Sequence, residues 1–105
     1  MVPRQYPRFA VVFPISFSGD HDGDGVVRNL SVAGCCVESH TTVDRKAYLT
    51  VRLHAALDQD PIKVAVAVVR WSRVGEFGLE FILMETHDQE CLGEFLKTLP
   101  PLPAG

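Results

Sequence analysis

Long hydrophobic runs are missing from this sequence of 105 residues. No apolar stretch approaches the ~20 residues that a helix needs to cross a bilayer. The first residues, Met1 to Arg4, also lack the hydrophobic segment of a signal peptide. We therefore expect a cytoplasmic protein that is not inserted into a membrane.

Cysteine is scarce, and its spacing excludes two classes of small protein. Cys35, Cys36 and Cys91 form an odd set with no C-x-x-C pair. This supports neither a disulfide framework nor a thiolate metal site. We expect buried free thiols, because cysteine behaves in a core as a small hydrophobic residue.

An excess of positive charge is also absent, since the formal net charge is -3. Proteins that bind nucleic-acid polymers through general charge attraction usually present a basic face. The charge is unevenly distributed, however: residues 1–19 contain Arg4 and Arg8 and no acidic side chain. A local cationic site is therefore compatible with an acidic protein.

Motifs of catalysis and metal binding are missing or incomplete. Ser31 is not in a G-x-S-x-G sequence, the four histidines are isolated, and no phosphate-binding glycine loop is present. The segment Asp20 to Gly25 resembles the first half of a calcium loop, but the twelfth position is Ser31 rather than glutamate. We predict an acidic turn there, no metal or cofactor, and no enzymatic activity.

What the sequence does contain is β-strand character in six short segments. Apolar and β-branched residues, often in alternation with polar ones, predict strands over 9–18, 26–31, 34–40, 48–54, 62–71 and 77–84. Six short strands separated by frequent turns predict a single domain that is mainly β, built as a small barrel or sandwich.

One helix is expected after the strands. Thr86 and Gln89 have the spacing of a capping box, and an apolar stripe follows at helical intervals. Pro100 and Pro101 end the helix, and residues 100–105 form a tail. We expect the stripe to cover one end or one face of the β structure.

Two polar motifs carry the chemistry of the sequence: Arg4 and Arg8 form R-x-x-x-R, and Asn29, Ser31 and Gly34 form N-x-S-x-x-G. The planar fork of arginine binds phosphate oxygens or the edge of guanine, and its plane stacks on rings. Asparagine and serine on one strand face can address a single polar edge. Glycine permits a positive φ or a close approach of backbone or ligand.

These motifs, together with Val69-Arg70-Trp71 and the later Gly78 to Phe81, make the chain resemble the PilZ family of bacterial cyclic di-GMP receptors. The resemblance implies a six-stranded antiparallel β-barrel with a C-terminal α-helix over residues 9–99. It also implies that residues 1–8 form a flexible arm, which becomes ordered over the ligand.

By this resemblance, the guanidinium groups bind phosphates and guanine edges, the polar strand residues bind guanine, the glycine preserves the turn, and the tryptophan lies beside a guanine. The residues in these roles are Arg4, Arg8, Asn29, Ser31, Gly34 and Trp71. Many family members have arginine or lysine where this chain has Pro3, so both a single ligand molecule and an intercalated pair remain open.

The implied function is that of a receptor or adaptor. Binding of cyclic di-GMP changes its conformation and thereby regulates a protein partner in motility, biofilm, exopolysaccharide or pilus control. Two alternatives stay open: a PilZ-like adaptor that does not bind the nucleotide, and a small barrel for single-stranded nucleic acid. The acidic balance disfavours the second alternative.

Overall fold

The computed structural model describes residues 6–100, which form six strands and one helix. Arg4 and most of the expected arm lie outside the described residues, as does most of the expected tail. Within residues 6–100, no helix is long and apolar enough to cross a membrane. The elements are β1 (Phe9–Gly19), β2 (Gly23–Leu30), β3 (Gly34–Glu38), β4 (Tyr48–Leu53), β5 (Ile62–Arg73), β6 (Glu76–Leu83) and α1 (Thr86–Lys97).

The strands close into an antiparallel barrel in the order β1-β2-β3-β6-β5-β4. The fold predicted from the six segments and the family resemblance is thus confirmed. Closure pairs every strand on both sides, and this removes the unpaired edges through which an open sheet aggregates.

Alternation along the strands separates the core from the outer surface. On β4, Leu49, Val51 and Leu53 are buried, while Tyr48 and Arg52 point outward and are exposed. β1 follows the same rule from Phe9 to Phe17, with a period of two, which is the geometry of a pleated strand. Side chains that serve the core and side chains that face solvent therefore occupy neighbouring positions on these strands.

Register shifts occur in several of the strand pairs, and two of them turn neighbouring side chains outward. The pairing of β2 with β3 shifts between Val27 and Asn29, and that of β5 with β6 shifts between Val69 and Trp71. The extra residue lets two consecutive side chains face outward. Arg28 is therefore exposed next to the half-buried Asn29, and Arg70 is exposed next to Trp71.

The two ends of the barrel are closed by different segments. Residues 39–47 connect β3 to β4 across one end, where Val43 is buried and its carbonyl accepts a hydrogen bond from Ser72 Oγ at 2.7 Å. At the other end, α1 buries Leu92 and Leu96 against the core, and the Phe95 ring meets Phe13 edge to face. The apolar stripe of the helix thus covers the barrel, as expected.

The predicted capping box is wrong. Thr86 is already helical, and the N-cap is Glu85, which has an extended backbone and no side-chain capping bond. The helix begins one residue earlier than the motif requires. The Gln89 amide therefore donates to the Met84 carbonyl, at 3.0 Å, instead of reaching the backbone of Thr86.

The acidic turn is shorter than the one predicted over residues 20–25, because β2 begins at Gly23. Asp24 lies on this strand and pairs with Ser16. Of the turn carboxylates, Asp20 Oδ2 accepts a hydrogen bond from the Tyr48 amide at 2.8 Å, and Asp22 Oδ1 accepts one from Gly19 at 3.3 Å. These two carboxylates therefore serve as hydrogen-bond acceptors for backbone amides of the turn region.

Candidate functional site: a cleft on the outer face of the barrel

Strand register places one row of residues side by side on the outside of the barrel. Asn29 of β2 pairs with Cys36 of β3, Cys36 pairs with Gly78 of β6, and Gly78 pairs with Trp71 of β5. Residues that are up to 49 positions apart in the sequence thereby share one surface. This row forms the floor of a cleft of about 570 Å³.

The cleft brings together every predicted site residue that the structure describes, namely Arg8, Asn29, Ser31, Gly34 and Trp71. The predicted Arg4 lies outside the described residues. Four other polar residues of the lining were not among the predicted site residues, namely Cys36, Arg70, Arg73 and Glu80.

Arg8 joins the two polar motifs directly. Its Nη1 donates a hydrogen bond of 2.7 Å to Asn29 Oδ1, although the residues are 21 positions apart. No carboxylate within residues 6–100 forms a salt bridge with Arg8. Because Asn29 is a neutral acceptor, the guanidinium keeps its full positive charge available to an anion.

Ser31 is placed differently from the expectation that it extends the face of β2. It follows the last residue of that strand, is only 3% exposed, and belongs to the turn into β3. Its Oγ accepts a hydrogen bond from the Ala33 amide at 3.1 Å, and its own amide donates to the Gly34 carbonyl at 2.9 Å. The hydroxyl therefore shapes the turn that forms one wall of the cleft.

Gly34 is required by a close approach of two backbones. A Cβ at this position would collide with the carbonyl oxygen of Leu79 on β6. Its φ does not lie in the left-handed region, which among the described glycines is adopted by Gly19 and Gly75. Of the two reasons that the sequence suggested for a glycine here, the close approach is the one that applies.

Trp71 lies at the opposite side of the cleft, 38% exposed. Its indole rests against Gly78, where a Cβ would overlap the five-membered ring. The guanidinium carbon of Arg73 lies over the ring, 5.0 Å from its centroid. The indole thus contacts both strand backbone and a cation.

Positive charge predominates in the lining, with three arginines against a single glutamate among the described residues. Arg70 forms a salt bridge with Glu80, and Arg73 Nε lies 2.7 Å from Glu76 Oε1. These pairs are half exposed or more on their arginine side, where the net attraction is weak. An anionic ligand can therefore replace the carboxylates at little cost.

Cys36 is a half-buried thiol on the cleft floor, 3.9 Å from Glu76 Oε2. Partial burial raises its pKa, and the nearby carboxylate of Glu76 adds to the effect. Burial raises the pKa of Cys35 as well, because this side chain points into the core. The expectation of buried thiols is correct for Cys35, whereas Cys36 and Cys91 are only partly buried.

The cleft thus combines guanidinium groups, an amide and an aromatic ring on the outer surface of the barrel. These groups suit an anion that also carries a flat, polar base. A model of the PilZ domain matches residues 3–98. The chain belongs to the PilZ domain family. PilZ domains are regulatory receptors, and the family is one of cyclic di-GMP receptors.

Solved structures show the same fold as this PilZ domain. The Bacillus subtilis inhibitor of motility MotI/DgrA aligns with a TM-score of 0.72 at 18% identity, over 93% of this chain and 52% of that chain. The PilZ domain of CeSA from a cellulose-synthesizing bacterium aligns with a TM-score of 0.67 at 14% identity, over 87% of this chain and 95% of that chain.

This PilZ domain spans about half the length of the MotI/DgrA chain. At these identities the likeness establishes the barrel fold alone. No curated protein sequence matches the chain. The side chains of the site must therefore be interpreted from their own geometry.

The additional lining residues follow from features that are hard to recognise in a sequence. Arg70 faces the cleft only because the bulge in β5 turns two consecutive side chains outward. Arg73 and Glu76 are opposite each other because the hairpin turn contains only Val74 and Gly75, and Gly75 has a φ of 89°. This short turn was the one available signal for the ion pair.

We predict that Gly34→Ala destabilises the domain by about 1–3 kcal/mol, because the added methyl group must displace the Leu79 backbone. Urea denaturation measures the change. Gly93→Ala is the control: a Cβ there meets nothing within 4 Å, and alanine in a helix should add about 0.5–1 kcal/mol of stability. Equal stabilities of the Gly34→Ala and wild-type proteins would contradict the close approach.

The environment of Cys36 predicts slow alkylation at mildly alkaline pH. A raised pKa keeps the thiol protonated above the pH at which an ordinary cysteine ionises, and only the thiolate reacts. Peptide mapping after iodoacetamide treatment should show faster labelling of Cys36 in Glu76→Gln, since this change removes a negative charge. The control Glu94→Gln, on α1, should leave the rate unchanged. An unaltered rate in Glu76→Gln would contradict the role of this carboxylate.

Proposed function

We propose that this PilZ domain binds cyclic di-GMP in the cleft and regulates a protein partner through the resulting change in conformation. One observation carries the proposal: the fold brings Arg8 of the R-x-x-x-R motif into contact with Asn29 of the N-x-S-x-x-G motif inside a positively charged cleft. The ligand carries phosphates and guanine bases, which are the groups that this cleft suits.

The roles follow from the chemistry of each group. The fork of Arg8 can bind two oxygens of a phosphate or the O6 and N7 edge of guanine. The amide of Asn29 offers both a donor and an acceptor to a base edge. Ser31 and Gly34 act mainly by shaping the wall, because the hydroxyl is engaged in the turn and the glycine lies against Leu79.

The contact between Arg8 and Asn29 also supports a conformational response. The bond joins the segment before β1 to the barrel wall, and it must be rearranged when either group turns to a ligand. We propose that residues 1–8 act as the arm that closes over cyclic di-GMP, with Arg4 as a second guanidinium contact. The barrel and helix over residues 9–99 then serve as the fixed base, followed by the tail of residues 100–105.

The proposed role is that of a cytoplasmic bacterial receptor without catalytic activity. The partner is a protein of motility, biofilm, exopolysaccharide or pilus control. One structural neighbour, MotI/DgrA, is an inhibitor of motility, and this supports a regulatory role of this kind.

Calorimetric titration with cyclic di-GMP tests the function. We expect a Kd of about 1 μM or lower, since several charge-assisted contacts converge in the cleft. GMP and cyclic di-AMP serve as controls and should bind more weakly. Absence of heat and of a thermal shift at ligand concentrations above about 100 μM would instead identify an adaptor that does not bind the nucleotide.

The variant Arg8→Ala should lose most of the affinity while keeping the stability of the domain. A hydrogen bond to a charged group is worth about 1.5–3 kcal/mol, whereas the arginine contributes little to the core. The control is Arg52→Ala, on the exposed face of β4 and outside the cleft lining. A lower melting temperature with unchanged affinity in Arg8→Ala would assign this arginine a structural role.

A further inference from the structure

The position of Arg73 bears on how a base enters the cleft. Its guanidinium lies over the Trp71 ring, and its side chain is 69% exposed. The indole itself is 38% exposed and rests against Gly78. A base that approaches the part of the indole under Arg73 must therefore either displace Arg73 or stack on it.

Stacking on Arg73 is the simpler outcome on physical grounds. A guanidinium group is planar and weakly hydrated, and it stacks on aromatic faces as readily as it pairs with anions. It already occupies such a position over the indole. A guanine placed on the outer face of the guanidinium adds a layer above the cation–π contact, and the contact between Arg73 and Trp71 is kept.

Two contacts hold Arg73 in this orientation and leave its positive charge available to a ligand. The pair with Glu76 has a distance of 2.7 Å but is largely exposed on the arginine side, and the contact with Trp71 is also at the surface. Exposed ion pairs and cation–π contacts are individually weak. Together, the ion pair and the cation–π contact orient the guanidinium plane of Arg73, and its positive charge stays available to a neighbouring phosphate.

We propose that Arg73 is a specificity-determining contact of the cyclic di-GMP site, and that its guanidinium plane, supported by Trp71, receives a guanine base in place of the indole. This inference rests on the proposed function and adds a residue outside the two sequence motifs. It also gives Trp71 a different role, as the support of the stacking surface.

The stack can be tested first in the free protein, because Trp71 is the one tryptophan of the chain. Removal of the guanidinium in Arg73→Gln should expose the indole, shift its fluorescence emission to longer wavelength and increase quenching by acrylamide. Arg52→Gln, far from the ring on β4, should change neither quantity. Unchanged emission and quenching in Arg73→Gln would overturn the stack.

Titration with cyclic di-GMP then tests the contact. We expect Arg73→Gln to weaken binding by roughly tenfold or more, the range of one base-stacking contact. Arg73→Lys keeps the charge but removes the plane, so its loss should be closer to that of Arg73→Gln than to the wild type. The Arg52→Gln control should bind as the wild type does.

The two proposals fail in distinguishable ways. If the wild-type protein binds cyclic di-GMP and both Arg73 variants retain its affinity, the stacking contact is wrong and the proposed function stands. Strong quenching of Trp71 by the ligand in the wild type, together with these affinities, would assign the base to the indole itself. If the wild-type protein does not bind the ligand, both proposals are overturned.

Discussion

The pairing of β3 with β6 is the constraint on which the site depends. β3 has only five residues, yet it carries the turn of the N-x-S-x-x-G motif on one side and contacts the β5–β6 hairpin on the other. The two strands can lie close together because Gly34 has no side chain that would collide with the carbonyl oxygen of Leu79. Without this approach, Asn29 and Trp71 could not border the same cleft.

Much of the fold could be predicted because the period-two pattern is local. Leu49, Val51 and Leu53 mark a core face in the sequence as clearly as in the structure. The order of the strands and the crossing of the barrel end by residues 39–47 depend on long-range packing, which leaves no such pattern. The helix start was misplaced because Thr86 and Gln89 have capping spacing, while the backbone turns helical directly after Glu85.

The lining of the cleft could be predicted where it consists of the two motifs, but not where it depends on strand register. Arg8, Asn29 and Gly34 could be identified by residue type and spacing, and the structure places them in the cleft. In the sequence, Arg70 stands out only as part of Val69-Arg70-Trp71, and Arg73 has no predicted role; in the structure each has an acidic partner on β6. Only the bulge and the two-residue turn show that both face the cleft.

The alternation along the strands has an evolutionary consequence. Because the cleft lies on the outside of a filled barrel, most of its side chains can change without touching the core, and selection for ligand preference can act separately from selection for folding. Gly34 and Gly78 are exceptions, since each borders the cleft and also permits a close packing contact. Substitutions at these two positions affect both properties at once, so we expect relatives to vary least there.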